Sequence, residues 1–271
     1  MNGLKIGCTL FLLTAAATAA FADPNPNLHW VGAKSDDNYE NNWQQSISGH
    51  DAICGGFVNQ MNSYSDSTRI YWTGLGVVER YHDGTDGSSG GLDTVDISMV
   101  CTHGGAFDSP LRFILSLYYK YQVASSIHMK FGNNNRGLSI FTTYSCHTMD
   151  GNSSEVQARW LPLFQGGLRI AAGIYDYSHP VTSQTFGTTF ANQLHASNKT
   201  ILSAWLDTAD DYLFDIPRIT SSGDWRYAHE FNRTDSCFNR IGNMKLSNYK
   251  TYPRLTDPTY LAICATEVTD N

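Results

Sequence analysis

The sequence predicts an α/β protein built on a largely parallel sheet. Along the middle of the chain, β-rich apolar runs alternate with segments of helical period. That alternation is typical of βα units that share one parallel sheet. Two of the apolar runs stop at polar residues, His103 and Cys146. Ligands bind beyond the carboxyl ends of the strands in open α/β sheets, so these two residues are the first candidates for a functional site.

The first 22 residues have the pattern of a secretory signal peptide. Lys5 precedes an apolar stretch, and the segment ends with Ala20-Phe21-Ala22 before Asp23. We therefore expect an exported protein, secreted or periplasmic, with cleavage near Ala22. A retained signal anchor is the alternative. No later stretch of the sequence has the roughly 18 uninterrupted apolar residues that a membrane span needs.

Length and charge limit the classes of partner. A mature chain of about 249 residues fits one domain with a substantial core. The formal net charge of the 271-residue chain is -7, and loss of Lys5 with the signal peptide takes it to -8. The charges are scattered rather than grouped, which argues against nucleic acid and anionic membranes as partners. The oligomeric state is left open.

Four regions are predicted along the chain. Residues 1–22 are the signal peptide, 23–50 an irregular arm that is either a removable segment or a docked terminus, and 51–216 the α/β domain. Residues 217–271 form an irregular C-terminal extension on the same domain, with one strand at 260–265.

The elements of the domain follow from the period of the apolar residues. Strands are predicted at 52–58, 69–78, 96–105, 127–131, 138–146 and 167–174. Helices are predicted at 109–121, 153–164, 186–196 and 201–207. The Ser-Pro pair at the start of the first helix is typical of a cap followed by proline at the first helical position.

A glycine-rich acidic loop precedes the strand that ends at His103. Its carboxylates Asp83, Asp86 and Asp93 are ligands of the kind that calcium prefers. Their spacing does not match an EF-hand, so a flexible loop is favoured over a calcium site.

The cysteine count singles out one thiol. Loss of Cys8 with the signal peptide leaves five of the six cysteines, and an odd number in an oxidising compartment favours two disulfides and one free thiol. Cys146 is the candidate thiol. Three pairings of the other four are open; the most local joins Cys237 to Cys264 and leaves Cys54 with Cys101. The alternatives are one disulfide with three inert thiols, or five reduced cysteines.

Cys101 is the rival nucleophile. It lies two residues before His103, so strand alternation places both side chains on one face of the sheet. It also lies deeper in the strand than Cys146, which is at a strand end and more accessible to a substrate. A helix is expected soon after Cys146, and its N-terminus would lower the pKa of the thiol.

The order of these motifs resembles the caspase-like cysteine peptidases, the clan that includes legumains, gingipains, separases and clostripain. One strand ends in His103-Gly104 and a later strand ends in Cys146, and the resemblance covers 69–207. Within the clan the chain is most similar to an exported bacterial family of unassigned function. The matching positions are Val95-Asp96, Ser145-Cys146, Gly167-Leu168, Gly187-Thr188-Thr189-Phe190-Ala191 and Ala204-Trp205.

The resemblance implies a three-layer α/β/α caspase-like sandwich and a division of roles at its site. Cys146 attacks a peptide carbonyl, His103 moves protons, and the backbone N–H groups of Gly104 and Cys146 form the oxyanion hole. It implies a peptide or protein substrate and neither a metal nor a cofactor. The caspase signature Gln-Ala-Cys-x-Gly is absent around Cys146, so recognition of aspartate is not implied.

We therefore expect a secreted cysteine endopeptidase that works through a thioester acyl-enzyme. A catalytically inactive binding module with the same fold is the first alternative, and a cysteine-dependent amidase or transpeptidase is the second. A zinc hydrolase is not favoured, because His128, His179 and His195 lack the spacing of metal ligands. Asp96 lies too far along the strand to orient His103, and a turn or cap role is favoured for it.

Overall fold

The fold is mixed α/β, with a mainly parallel sheet and four α-helices in the part of the chain that the structure describes. The structure is a computed structural model. The residues that it describes are 29–35, 49–64, 66–73, 91–105, 114–116, 123–126, 129–132, 137–149, 153–174, 184–215, 225–231, 244–252 and 260–266.

The helices and strands have the following bounds. The helices are α1 (His50–Ser63), α2 (Ser153–Phe164), α3 (Phe186–His195) and α4 (Ile201–Asp215). The strands are β1 (Trp30–Ser35), β2 (Ser67–Thr73), β3 (Ile97–Cys101), β4 (Gly104–Gly105), β5 (Ile114–Ser116), β6 (Val123–Ser125), β7 (Ile140–Tyr144), β8 (Ile170–Ile174), β9 (Trp225–Phe231) and β10 (Tyr260–Thr266). Short 3-10 helices lie at Leu92–Thr94 and Tyr249–Thr251.

The main sheet has seven strands in the order β10-β9-β8-β7-β3-β1-β2. The five strands from β8 to β2 are parallel to one another, and β9 and β10 add antiparallel strands at one side. A separate antiparallel sheet of three strands has the order β4-β5-β6. The largely parallel sheet predicted from the sequence is confirmed, and the carboxyl ends of its five parallel strands lie along one edge.

Two apolar clusters form the core. Alternate residues of β3 contribute to different clusters, because successive side chains of a strand point to opposite faces. Ile97 and Met99 belong to the cluster that contains residues of α1, α3 and α4, whereas Val100 belongs to the cluster that contains residues of α2. Trp205 anchors the first of these clusters, with its ring 5.1 Å from that of Phe190.

The predicted irregular arm over residues 23–50 is wrong for Trp30–Ser35, which form β1. This strand lies between β3 and β2 inside the parallel sheet, and Val31 and Ala33 are fully buried. A strand covered on both faces needs no polar alternation, so the period that identifies exposed strands is missing from it. Because β1 bonds to strands on both sides, its removal would expose two strand edges in the sheet.

The strand predicted at 52–58 is wrong, since these residues belong to α1. Ile53, Phe57 and Met61 recur every four residues and are fully buried, which is a helical pattern. Gly55 and Gly56 weaken the helical signal, but Gly56 is needed for close packing because a Cβ there would lie 2.6 Å from Oγ1 of Thr188 in α3. Contact between α1 and α3 therefore outweighs the low helix propensity of glycine at these positions.

The other elements divide into confirmed and corrected predictions. The predictions that correspond to β3, β7, β8 and β10 and to the helices α2, α3 and α4 are confirmed. The strand predicted at 69–78 is confirmed over 69–73, which belong to β2, and 74–78 lie outside the described residues. The helix predicted at 109–121 is wrong at 114–116, which form β5. The strand predicted at 127–131 is wrong at 129–131, which form no regular element, and the nearest strand, β6, lies earlier in the chain. The C-terminal extension is not irregular throughout, since β9 and β10 extend the main sheet.

Asp66 joins three elements at the amino edge of the sheet. Its carboxylate accepts hydrogen bonds from Nδ1 of His29 and Nε2 of His195, both at 2.8 Å, and from the backbone N–H of His29. Burial of the carboxyl raises the pKa of Asp66, but the hydrogen bonds and charges of His195 and His29 outweigh it, so the pKa lies below its usual value. The starts of β1 and β2 are thereby tied to the end of α3.

Replacement of Asp66 by Asn is expected to lower the free energy of unfolding by about 1–3 kcal/mol, because one histidine donor loses its carboxylate acceptor. In the wild type, the pKa of Asp66 is lower in the folded state than its usual value of 3.8. The contribution of Asp66 to stability is therefore complete above pH 3.8 and is lost as the pH falls through the pKa of the folded state. Urea unfolding at pH 7 and between about pH 5 and pH 2 measures both effects. Identical acid slopes for the two proteins would contradict the assignment.

A disulfide joins α1 to β3. It links Cys54 to Cys101 across 47 positions of sequence, with their Cα atoms 6.1 Å apart. This is one of the pairings predicted from the cysteine count. Cys237, and with it the predicted pairing to Cys264, lies outside the described residues.

Replacement of both Cys54 and Cys101 by Ala is expected to lower the free energy of unfolding by about 2–5 kcal/mol, because the unfolded chain gains conformational freedom. Denaturant unfolding without reductant measures this loss. The Cys146→Ala variant is the control for removal of a cysteine that leaves the bridge intact. A double variant as stable as this control would show that the bridge contributes nothing.

Candidate functional site

The pairing of β3 with β7 brings the segments that carry His103 and Cys146 to the carboxyl edge of the sheet. The two strands are parallel neighbours, and the last pair in their register is Cys101 with Tyr144. His103 and Cys146 each lie two residues beyond the end of their strand. Beyond the last pair, the N–H of Thr102 donates to Oγ of Ser145 at 3.4 Å. The two segments therefore stay close to each other beyond the ends of the strands.

The backbone after His103 contacts the backbone of Cys146 directly. A Cβ placed on Gly104 would lie 2.5 Å from the carbonyl oxygen of Cys146 and 2.8 Å from Cβ of Ser145. Both distances are too short for a side chain, so the position requires glycine. The two residues predicted to form an oxyanion hole, Gly104 and Cys146, are thus in contact through their main chains.

Replacement of Gly104 by Ala is expected to push the two strand ends apart, lowering stability by about 1–3 kcal/mol and slowing alkylation of Cys146. The matched control is Gly56→Ala, where a new Cβ would meet Oγ1 of Thr188 in α3 instead of a strand end; this variant should lose stability without slower alkylation. Thermal unfolding and the rate of iodoacetamide labelling measure the two effects. A Gly104→Ala protein that is alkylated as fast as the control would show that the close contact is unimportant for the site.

The turn that carries Cys146 is fixed by hydrogen bonds to β8 and α2. The N–H of Met149 donates to the carbonyl of Ile174 at 2.9 Å, and Nε1 of Trp160 donates to the carbonyl of Thr148, also at 2.9 Å. Oγ1 of Thr148 accepts from the N–H of Ile174. His147 has φ 53°, a left-handed conformation that is uncommon for a residue with a side chain. Cys146 therefore lies on a sharp turn with little freedom to move.

The helix expected soon after Cys146 begins beyond the turn that carries this residue. The described helix after the turn, α2, begins only at Ser153. The influence of a helix N-terminus on the Cys146 thiol stays a prediction.

Burial and bonding separate Cys146 from its rival, Cys101. Cys101 is fully buried and its sulfur is bonded to Cys54, so it has no thiol in this structure. Cys146 lies outside the disulfide and is 9 % exposed, and His103 is 8 % exposed. Of the two cysteines, only Cys146 offers a thiol.

His50 belongs to this site, although the sequence analysis passed over it. It is the first residue of α1 and is 1 % exposed, and its ring centroid lies 5.7 Å from that of His103 with an interplanar angle of 75°. The signal was present in the helical period, because His50 precedes Cys54 and Phe57 on the buried face of α1. It was missed because 23–50 was assigned to an arm and 52–58 to a strand.

The remaining acidic candidates have structural partners. Asp93 accepts from the N–H groups of Gly132 and Leu138. Asp96 accepts from the N–H of Trp30 through its side chain at 2.9 Å, in keeping with the turn or cap role predicted for it. Asp83 and Asp86, the other members of the proposed calcium loop, lie outside the described residues.

Of the three histidines considered as zinc ligands, only His195 lies in the described part of the chain. His195 bonds to Asp66 at the opposite edge of the sheet, and His128 and His179 lie outside the described residues. Among the residues that the structure places, no group of three His, Cys, Asp or Glu side chains is arranged to hold a metal ion.

None of the described helices is long and apolar enough to cross a membrane.

A family model described as "Domain of unknown function (DUF6345)" matches residues 29–244. The chain belongs to the DUF6345 family. The DUF6345 match begins at His29, which makes β1 part of the domain rather than of an arm, and it includes His50, His103 and Cys146. No curated protein matches the chain.

Proposed function

We propose that this DUF6345 protein is an exported cysteine peptidase of the caspase-like type, with Cys146 as nucleophile and His103 as its proton-transfer partner. The observation that carries the proposal is the pairing of β3 with β7, because His103 and Cys146 each follow the end of one of these two neighbouring parallel strands by two residues. Residues at this edge of an α/β sheet face the crevice where ligands bind.

The fold that we propose is a three-layer α/β/α caspase-like sandwich. Its support is the composition of the two apolar clusters: α1, α3 and α4 contribute to one, and α2 contributes to the other. The sheet supplies alternating side chains to both clusters, as the middle layer of such a sandwich does.

Export is supported by two independent features. The first 22 residues have the pattern of a signal peptide, and Cys54 is bonded to Cys101. Disulfides persist in secreted and periplasmic proteins and are rare in reducing compartments.

The proposed reaction has two chemical steps. The Cys146 thiolate attacks the carbonyl carbon of a peptide bond, and the developing oxyanion accepts hydrogen bonds from the backbone N–H groups of Gly104 and Cys146. The carbon–nitrogen bond breaks as protonated His103 donates a proton to the leaving amine, which leaves a thioester. Water then attacks the thioester and releases a carboxylic acid and the thiol.

A catalytically inactive binding module of the same fold is the second candidate. The observation that favours it is the low exposure of Cys146 and His103, at 9 % and 8 %. A substrate needs access to the sulfur, so turnover decides between the two functions.

Turnover of a peptide library is the direct test of the dyad. We expect the wild type to cleave peptides, and the Cys146→Ala and His103→Ala variants to lose at least about 1,000-fold in kcat/KM, because nucleophile and base act as a unit. Mass spectrometry of the products measures the loss and reports whether water or an added amine accepts the acyl group. Transfer to the amine would favour the transpeptidase alternative.

The matched control is His195→Ala, which removes an imidazole at the opposite edge of the sheet. We expect this variant to keep its activity. Cleavage that survives both Cys146→Ala and His103→Ala would overturn the assignment of the dyad, and a protein that binds peptides without cleaving them would establish the inactive module.

A further inference from the structure

A ring from α1 packs against the imidazole of His103. The imidazoles of His50 and His103 meet at 75° with centroids 5.7 Å apart, the edge-to-face arrangement that aromatic rings prefer. His50 is 1 % exposed, so surrounding atoms hold its ring in place. A fixed ring against His103 restricts rotation of the His103 imidazole. The orientation of this imidazole decides where its two ring nitrogens, which carry the proton, point.

The disulfide sets the spacing between the two histidines. Cys54 lies four residues after His50, one turn further along the same face of α1. Its partner, Cys101, is the last residue of β3 and lies two residues before His103. The bridge therefore joins the segments that carry the two imidazoles, next to both of them.

Two further contacts hold the start of α1 at the carboxyl edge of the sheet. Oγ of Ser35, the last residue of β1, donates to the carboxylate of Asp51. The hydroxyl of Tyr71 in β2 donates to the carbonyl oxygen of Asp51 at 3.2 Å. Since Asp51 follows His50 directly, the first turn of α1 is tied to β1, β2 and β3, and His50 cannot withdraw from His103 without breaking these contacts.

From these contacts we infer that His50 is a positioning residue: its ring holds the His103 imidazole in the orientation that exchanges protons with Cys146. The inference rests on the dyad proposed above and adds a third residue to it. His50 need not touch the substrate, because it acts through His103. Small errors in the placement of a reacting group reduce rates by up to about 100-fold, so removal of the ring should slow the chemistry and leave substrate binding unchanged.

The titratable groups on the elements that meet at His103 are few in the described part of the chain. They are His50 and Asp51 of α1, Tyr144 of β7, and Cys146 and His147 of the turn after β7; Cys54 and Cys101 are bonded to each other. Tyrosine ordinarily titrates at about pH 10, above the range of the alkylation experiment. A change in the pH dependence of Cys146 reactivity after substitution of His50 is therefore interpretable.

The test compares three variants of His50 by the rate at which iodoacetamide alkylates Cys146, followed by mass mapping across about pH 5 to pH 9, the range in which imidazole and thiol titrate. His50→Ala removes the ring, His50→Leu fills its volume without a ring, and His50→Phe restores a ring. We expect Ala and Leu to slow alkylation at neutral pH by about tenfold to 100-fold and to shift its pH profile toward that of His103→Ala. Phe should return the rate to within about threefold of wild type.

Peptide turnover gives a second readout. The Ala and Leu variants should lose kcat by the same factor, with KM changed by less than about twofold. His195→Ala is the matched control, because it removes a histidine near the other end of the α1–α3 pair and should leave alkylation unchanged. If His50→Ala does not fold, the comparison of Leu with Phe carries the test.

The outcomes separate failure of this inference from failure of the dyad. Wild-type alkylation rates and profiles in the Ala and Leu variants, with His103→Ala impaired, would overturn the role of His50 and leave the dyad intact. A Phe variant as slow as Ala would also overturn positioning through the ring. Unchanged alkylation in His103→Ala would overturn the dyad itself, and the role of His50 with it.

Discussion

The in-register pairing of β3 with β7 is the constraint on which the rest of the site depends. Parallel strands end at the same edge, and a shift of one residue in their register would turn the side chains of one strand to the opposite face. The observed alignment puts Cys101 opposite Tyr144 and continues through the hydrogen bond between Thr102 and Ser145. The positions of His103 and Cys146 follow from that alignment.

Contacts at the amino edge hold this register. The N–H of Asp96 donates to the carbonyl of Trp30, and its own carbonyl accepts from the N–H groups of Ser139 and Ile140. Asp96 thus joins the starts of β1, β3 and β7 before the strands begin. Arg169 adds a buried link, since its Nη1 donates to Oγ of Ser139 at 2.7 Å and its Nη2 donates to the carbonyl of Tyr252. Asp96 makes these links through its own backbone groups, and the charged side chain of Arg169 satisfies the backbone carbonyl of Tyr252.

At the carboxyl edge, the same sheet is held by a disulfide, by hydrogen bonds and by a close backbone approach. The disulfide fixes α1 to β3, Thr148 and Trp160 fix the turn after β7, and Gly104 allows the two strand ends to approach each other. Hydrogen bonds to backbone groups therefore stabilise both edges, and the carboxyl edge has a covalent bridge as well. The carboxyl edge is also where ligands bind in α/β folds.

The sequence by itself determined the α/β class and the strands that lead to His103 and Cys146, and it left the pairing of Cys54 with Cys101 as one of three. These are visible because apolar period, strand-ending polar residues and cysteine parity are local or countable properties. Only the tertiary structure decided that Trp30–Ser35 form an interior strand, that 52–58 are helical, and that His50 lies against His103. A strand buried on both faces has no alternation, glycines in α1 reflect contact with α3, and the approach of two rings depends on how a helix packs on a sheet. The helical period of α1 is visible in the sequence, but the contacts that α1 makes with α3 and with His103 join segments that are distant in sequence.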